Sequence, residues 1–157
     1  MHRRESKMKL LLIEDDFSVA SPVQAVLHAE DDTCDVTLSG RRGLELALSG
    51  DYQAIILDLI LPDLDGMAVL EKLRAANNKT PVLILSSVSD VAKKISCFQL
   101  GADDYLDKPF ETGELVAHLS QSCHGWRRLY PNRLGQRLRA APRRERHGQR
   151  IRDDAAI

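Results

Sequence analysis

The stretch Ala54-Ile55-Ile56-Leu57-Asp58-Leu59-Ile60-Leu61-Pro62-Asp63-Leu64-Asp65-Gly66 carries an apolar run into a carboxylate and then into a turn. Unbroken apolar runs, unlike alternating ones, belong to strands covered on both faces, as inside a parallel sheet. Pro62 and the Asp65-Gly66 pair break the extended chain before helical spacing resumes at Met67. The segment therefore predicts a buried strand that delivers Asp58 to its end. An acid at such a place is ordinarily a surface cap, so its meaning depends on what the other strands deliver beside it.

The same pattern recurs. Lys9-Leu10-Leu11-Leu12-Ile13 ends in three consecutive acids, Glu14-Asp15-Asp16, of which Asp16 suits a helix cap. Pro81-Val82-Leu83-Ile84-Leu85 ends in Ser86-Ser87, and the short strand Asp104-Tyr105-Leu106-Asp107 ends in Lys108-Pro109. Cys34 to Leu38 alternates as a less buried strand. Between them, the spacing predicts a first helix capped by Ser21, with Pro22 at its first position, because proline is tolerated there and costs about 3 kcal/mol farther in. Further helices are predicted over Arg42 to Leu48, over Gly66 to Ala76 with Asn77-Asn78 breaking it, over Val91 to Leu100 closing on Gly101, and over Glu111 to Leu119. Strand and helix alternate throughout, which implies an open parallel α/β sheet with helices on both faces. Right-handed crossovers place all the strand ends on one rim.

At 157 residues the chain has room for one ordinary domain and a tail. The small net charge of -1 hides an asymmetry: residues 1–118 carry 12 Lys+Arg against 20 Asp+Glu, and residues 119–157 carry 10 Arg against 3 acids. Residues 1–7 read as a disordered extension, 8–120 as the folded domain, and 121–157 as a basic, disordered tail without an apolar period. Cys34, Cys97 and Cys123 have no Cys-x-x-Cys spacing, so neither a disulfide framework nor a zinc site is expected. No apolar run reaches the roughly 18 residues of a membrane span, and the N-terminus lacks a signal segment, so a cytoplasmic protein with no membrane partner is expected.

On the common rim, Glu14, Asp15, Asp58, Ser86 and Lys108 would converge, at the place where ligands bind in such sheets. Converging carboxylates repel unless a hard cation neutralises them, and an all-oxygen donor set suits Mg²⁺. With the compact charge of Lys108 and the hydroxyl of Ser86, these groups could hold a phosphoryl group on a carboxylate.

Leu11-Leu12-Ile13-Glu14-Asp15-Asp16, Asp58 with Leu61-Pro62-Asp63-Leu64-Asp65-Gly66, Thr80-Pro81-Val82-Leu83-Ile84-Leu85-Ser86, and Gly101-Ala102-Asp103-Asp104-Tyr105-Leu106-Asp107-Lys108-Pro109-Phe110 resemble, in order and spacing, a response-regulator receiver domain. The resemblance implies a flavodoxin-like, doubly wound sheet of five parallel strands in the order 2-1-3-4-5 with five helices. It implies that Asp58 takes phosphate from the phosphohistidine of a sensor histidine kinase or phosphotransfer protein. Mg²⁺ would be held by Asp15, Asp58 and the backbone carbonyl of Ile60, with Glu14 contributing. Ser86 and Lys108 would touch the phosphoryl oxygens, Tyr105 would swing inward as a switch, and Lys108-Pro109 falls where the family commonly has a cis peptide.

The wording of Gly101 to Phe110 is most similar to the OmpR/PhoB type, winged-helix transcription factors that dimerise through the fourth helix, fifth strand and fifth helix. Their cross-dimer ion pairs map onto Lys94 with Glu114 and Asp104 with His118. Histidine, unlike the usual arginine, is not permanently charged, which implies a weaker dimer. The residues after the receiver are too few for a winged helix. A stand-alone receiver, a truncated transcription regulator and an arginine-rich tail that binds nucleic acid therefore stand as alternatives. An aspartyl-phosphate-forming Mg²⁺ phosphatase is a further one, but it would carry a second acid two residues after the nucleophile, where this chain has Ile60.

Overall fold

A computed structural model describes residues 8–122. The expected N-terminal extension, nearly all of the basic tail, and Cys123 lie outside the described residues. Ten elements alternate: β1 Lys9–Ile13, α1 Phe17–Ala29, β2 Thr33–Thr37, α2 Gly40–Ser49, β3 Ala54–Asp58, α3 Gly66–Ala75, β4 Val82–Ser86, α4 Val91–Gln99, β5 Asp104–Asp107 and α5 Thr112–Ser122. The five strands form one parallel sheet in the order β2-β1-β3-β4-β5, as expected.

The apolar runs are buried on both faces because successive strand residues point to opposite sides. Leu10, Leu12, Ile56, Leu83 and Leu85 enter the layer closed by α1 and α5. Leu11, Ile13, Ile55, Leu57 and Ile84 enter the opposite layer, with Val69, Leu70 and Leu73 of α3 and Cys97 of α4. Every residue of β3 and β4 is buried, whereas β2, at the sheet edge, buries only Cys34. Cys34 and Cys97 are free buried thiols.

Three boundaries differ from the sequence expectation by more than one residue. The first helix does not start at Ser21; Asp16 caps it by accepting from Ser18 N, and Pro22 lies inside. Its missing N–H removes one intrahelical bond, to the Ser18 carbonyl, in the second turn of the helix. α2 starts at Gly40 rather than Arg42, because Ser39 accepts from Arg42 N and Asp63 supplies a second, distant acceptor. α5 runs on to Ser122. The expected stops do hold: Asn77 (φ 60°) and Gly101 (φ 103°) take the left-handed conformation just after α3 and α4. Among the described residues no helix is long and apolar enough to cross a membrane.

Candidate functional site

The sheet topology sets β1 and β3 side by side and β4 and β5 beyond them, so their carboxyl ends share one rim. Leaving β1, Glu14 donates its N–H to Thr37 O at 3.1 Å, one residue beyond the β1–β2 ladder, and its side chain is fully buried. Asp58 ends β3 and is 4% exposed, while Asp15 remains exposed. Oxygens of Glu14, Asp15 and Asp58 all lie within 4.8 Å of one another.

Lys108, just past β5, reaches into this group. Its Nζ donates to Glu14 Oε2 at 2.8 Å and to Asp58 Oδ2 at 3.0 Å. The other Asp58 oxygen, Oδ1, accepts from Ile60 N at 3.1 Å, and Glu14 Oε1 accepts from Asp16 N at 3.1 Å. Burial, reinforced by the neighbouring Asp58, lifts the Glu14 carboxyl to about 7 despite the lowering effect of Lys108. For Lys108, burial pulls its pKa down, but its bonds to Glu14 and Asp58 outweigh this and raise it overall. Lys108-Pro109 is a cis peptide, as expected.

The donor set is entirely oxygen and anionic, partly buried and partly open, which fits a small hard divalent cation better than a soft one. The ammonium of Lys108 stands where the carboxylates most need positive charge. Few arrangements leave two acids this deeply buried without such neutralisation.

A model of the response regulator receiver domain matches residues 10–120. The chain belongs to the receiver family. Over 112 residues this receiver is 40% identical to the transcriptional regulatory protein DltR of Streptococcus agalactiae, covering 71% of this chain and 50% of that one. The chain thus spans about half the length of the curated relatives it matches. It superposes on the Francisella response regulator 1452 receiver domain with a TM-score of 0.72 at 32% identity, covering 76% of this chain and 98% of the other. The receiver domain of sensor histidine kinase PA1611 from Pseudomonas aeruginosa, described with a magnesium ion coordinated in its active-site cleft, gives 0.69 at 28% identity, covering 76% and 99%.

Elsewhere on the receiver, Ser86 is buried and its Oγ accepts from Val88 N at 3.0 Å. Tyr105 is turned inward in this structure, 4% exposed, with its hydroxyl donating to Val88 O at 2.9 Å. Burial raises its pKa. Lys94 Nζ lies 5.1 Å from the centre of the Tyr105 ring, and Glu114 is exposed on α5. Asp104 and His118, mapped as partners across a dimer, approach to 2.6 Å within one chain. Ile60 is 56% exposed beside the acids. Sequence reasoning treated Asp63 as a turn residue only; in the structure it accepts from Ser39 Oγ, Gly40 N and Arg41 N. No local spacing signals this, since its partners lie more than twenty residues back in the chain.

Proposed function

We propose that this receiver takes a phosphoryl group onto Asp58 from the phosphohistidine of a sensor histidine kinase or phosphotransfer protein, with Mg²⁺ held by Asp15, Asp58, the Ile60 carbonyl and Glu14. The observation that carries the reading is the buried Glu14–Asp58–Lys108 cluster with Asp15 against it. An Asp58 carboxylate oxygen forms the new bond to phosphorus as the phosphorus–nitrogen bond of the donor breaks, and the departing imidazole keeps the electron pair. Bound Mg²⁺ supplies charge neutralisation for the transferring oxygens. Lys108 already spans Glu14 and Asp58, so its charge is in place before phosphorus arrives, and Ser86 offers its hydroxyl hydrogen from the next strand.

Tyr105 and Ser86 form the switch, and α4, β5 and α5, with Lys94, Asp104, Glu114 and His118, form the face that responds. Affinity to the OmpR/PhoB type is supported by the wording of Gly101 to Phe110 and by the similarity to DltR. The protein acts in the cytoplasm, signalling through protein contacts rather than turning over substrate.

Acetyl phosphate with Mg²⁺ is expected to label the protein at Asp58, read by intact mass and peptide mapping, and Asp58→Asn is expected to abolish the label. Undiminished labelling of the Asn variant would sink the assignment.

A further inference from the structure

We infer that Asp63 is a positioning residue that latches the β3–α3 loop, and with it the Ile60 carbonyl, to the N-terminus of α2. The inference rests on the reading above, in which Asp58 and Ile60 hold the metal.

The loop leaves β3 after Asp58 and enters α3 at Gly66, and the structure pins it at two places. At the α3 end, Gly66 N donates to Leu59 O at 2.9 Å, and the glycine lies so close beneath β3 that a Cβ there would fall 2.2 Å from Asp58 O. At the other, Asp63 Oδ1 accepts from Gly40 N at 2.8 Å, while Oδ2 accepts from Ser39 Oγ at 2.7 Å and from Arg41 N at 3.1 Å. Gly40 is again the close approach, since a Cβ there would sit 2.4 Å from Leu64 O. Residues 60–62 bridge these two anchors, and Ile60 N is itself held by Asp58 Oδ1.

Local capping does not account for Asp63. α2 has its own cap in Ser39, which accepts from Arg42 N at 3.1 Å. Asp63 takes the two donors before that one, Gly40 N and Arg41 N, from a segment on another strand connection. An anion there is favoured by the helix dipole, and the bond from Ser39 Oγ, aided by these backbone donors, pulls the Asp63 pKa down. Mg²⁺ tolerates little deviation in ligand position, so a loop free to drift would lose the carbonyl's contribution.

The test is Mg²⁺ affinity, by calorimetry on the full chain, set beside thermal unfolding. Asp63→Ala is expected to raise the dissociation constant roughly tenfold, the low end for residues that support a metal's ligands. Asp63→Asn, which keeps one acceptor oxygen, and Ser39→Ala, which removes one of the three bonds, are expected to fall between. Arg74→Ala is the control for stability alone. At the far end of α3, Arg74 donates to the carbonyls of Asn78, Thr80 and Gly101, so its loss is expected to lower the melting temperature and leave Mg²⁺ affinity unchanged. Unchanged affinity in Asp63→Ala, or an equal loss in Arg74→Ala, overturns the latch. A wild-type protein that takes no Mg²⁺ overturns the underlying reading, and the latch with it.

Discussion

Glu14 gives the site a pH dependence near neutrality. Its carboxyl is buried under Lys108 and beside Asp58, and titrates near 7 instead of its ordinary 4.5. Below that point a proton occupies a carboxylate that the proposed Mg²⁺ site would need ionised, so metal and proton would compete. Most metal-free molecules carry the proton at about pH 6 and few do at about pH 8, so Mg²⁺ affinity is expected to be about tenfold lower at about pH 6 than at about pH 8. Lys108 does not add to this slope, because its raised pKa keeps it charged throughout. Folding moves the other way. A folded-state pKa above the unfolded value stabilises fully below about 4.5 and less as pH rises through about 7; the total is on the order of 3 kcal/mol. Mg²⁺ is therefore expected to raise the melting temperature more at about pH 8 than at about pH 5. The assay is calorimetric Mg²⁺ titration across this range, for wild type and Glu14→Gln. The wild type is expected to slope and the variant to be flat. A flat wild-type profile, or an equal slope in Glu14→Gln, would refute the reasoning.

Ile60 and Val88 stand two residues after Asp58 and Ser86, and neither side chain could hydrogen-bond a water that approaches Asp58. The isolated phosphoprotein is expected to decay slowly, and faster in the double variant Ile60→Asn with Val88→Glu; equal or slower decay of the variant argues against this role. Removing residues 123–157 is expected to leave the melting temperature and acetyl phosphate labelling nearly unchanged, because that sequence offers no periodic apolar face. Loss of cooperative unfolding on truncation would make the tail part of the fold.

Much of this was legible because burial on two faces writes itself into a sequence as continuous aliphatic runs. β1, β3 and β4 were readable from their residues, and the acids, serine and lysine could be assigned to one rim because parallel strands share a direction. What the sequence did not carry was set by contacts distant along the chain. α2 begins early because Asp63 reaches it from the β3–α3 loop, and α1 begins early because Asp16 outweighs the signal from Pro22. The pairing of Asp104 with His118 is invisible to spacing, as it needs β5 and α5 to be adjacent. Depth of burial was likewise out of reach: Glu14 and Asp15 are neighbours in sequence, yet one is enclosed and the other open.

Val88 links the rim to the α4–β5–α5 face. Val88 donates its N–H to Ser86 Oγ and accepts at its carbonyl from the Tyr105 hydroxyl. Were a phosphoryl group on Asp58 to draw Ser86 toward it, the pull would fall on the peptide that satisfies the tyrosine. Tyr105 is buried, so a loop shift that took away its acceptor would strand a phenolic hydroxyl at a cost of about 1–3 kcal/mol. Coupling energies between sites span about 1–3 kcal/mol, so this one bond is large enough to bias the arrangement of the loop before α4. The ring lies under Lys94, and Asp104, next to Tyr105 on β5, is held by His118 of α5. A dimer built on this face must either open the Asp104–His118 pair or leave it closed and rely on the remaining contacts.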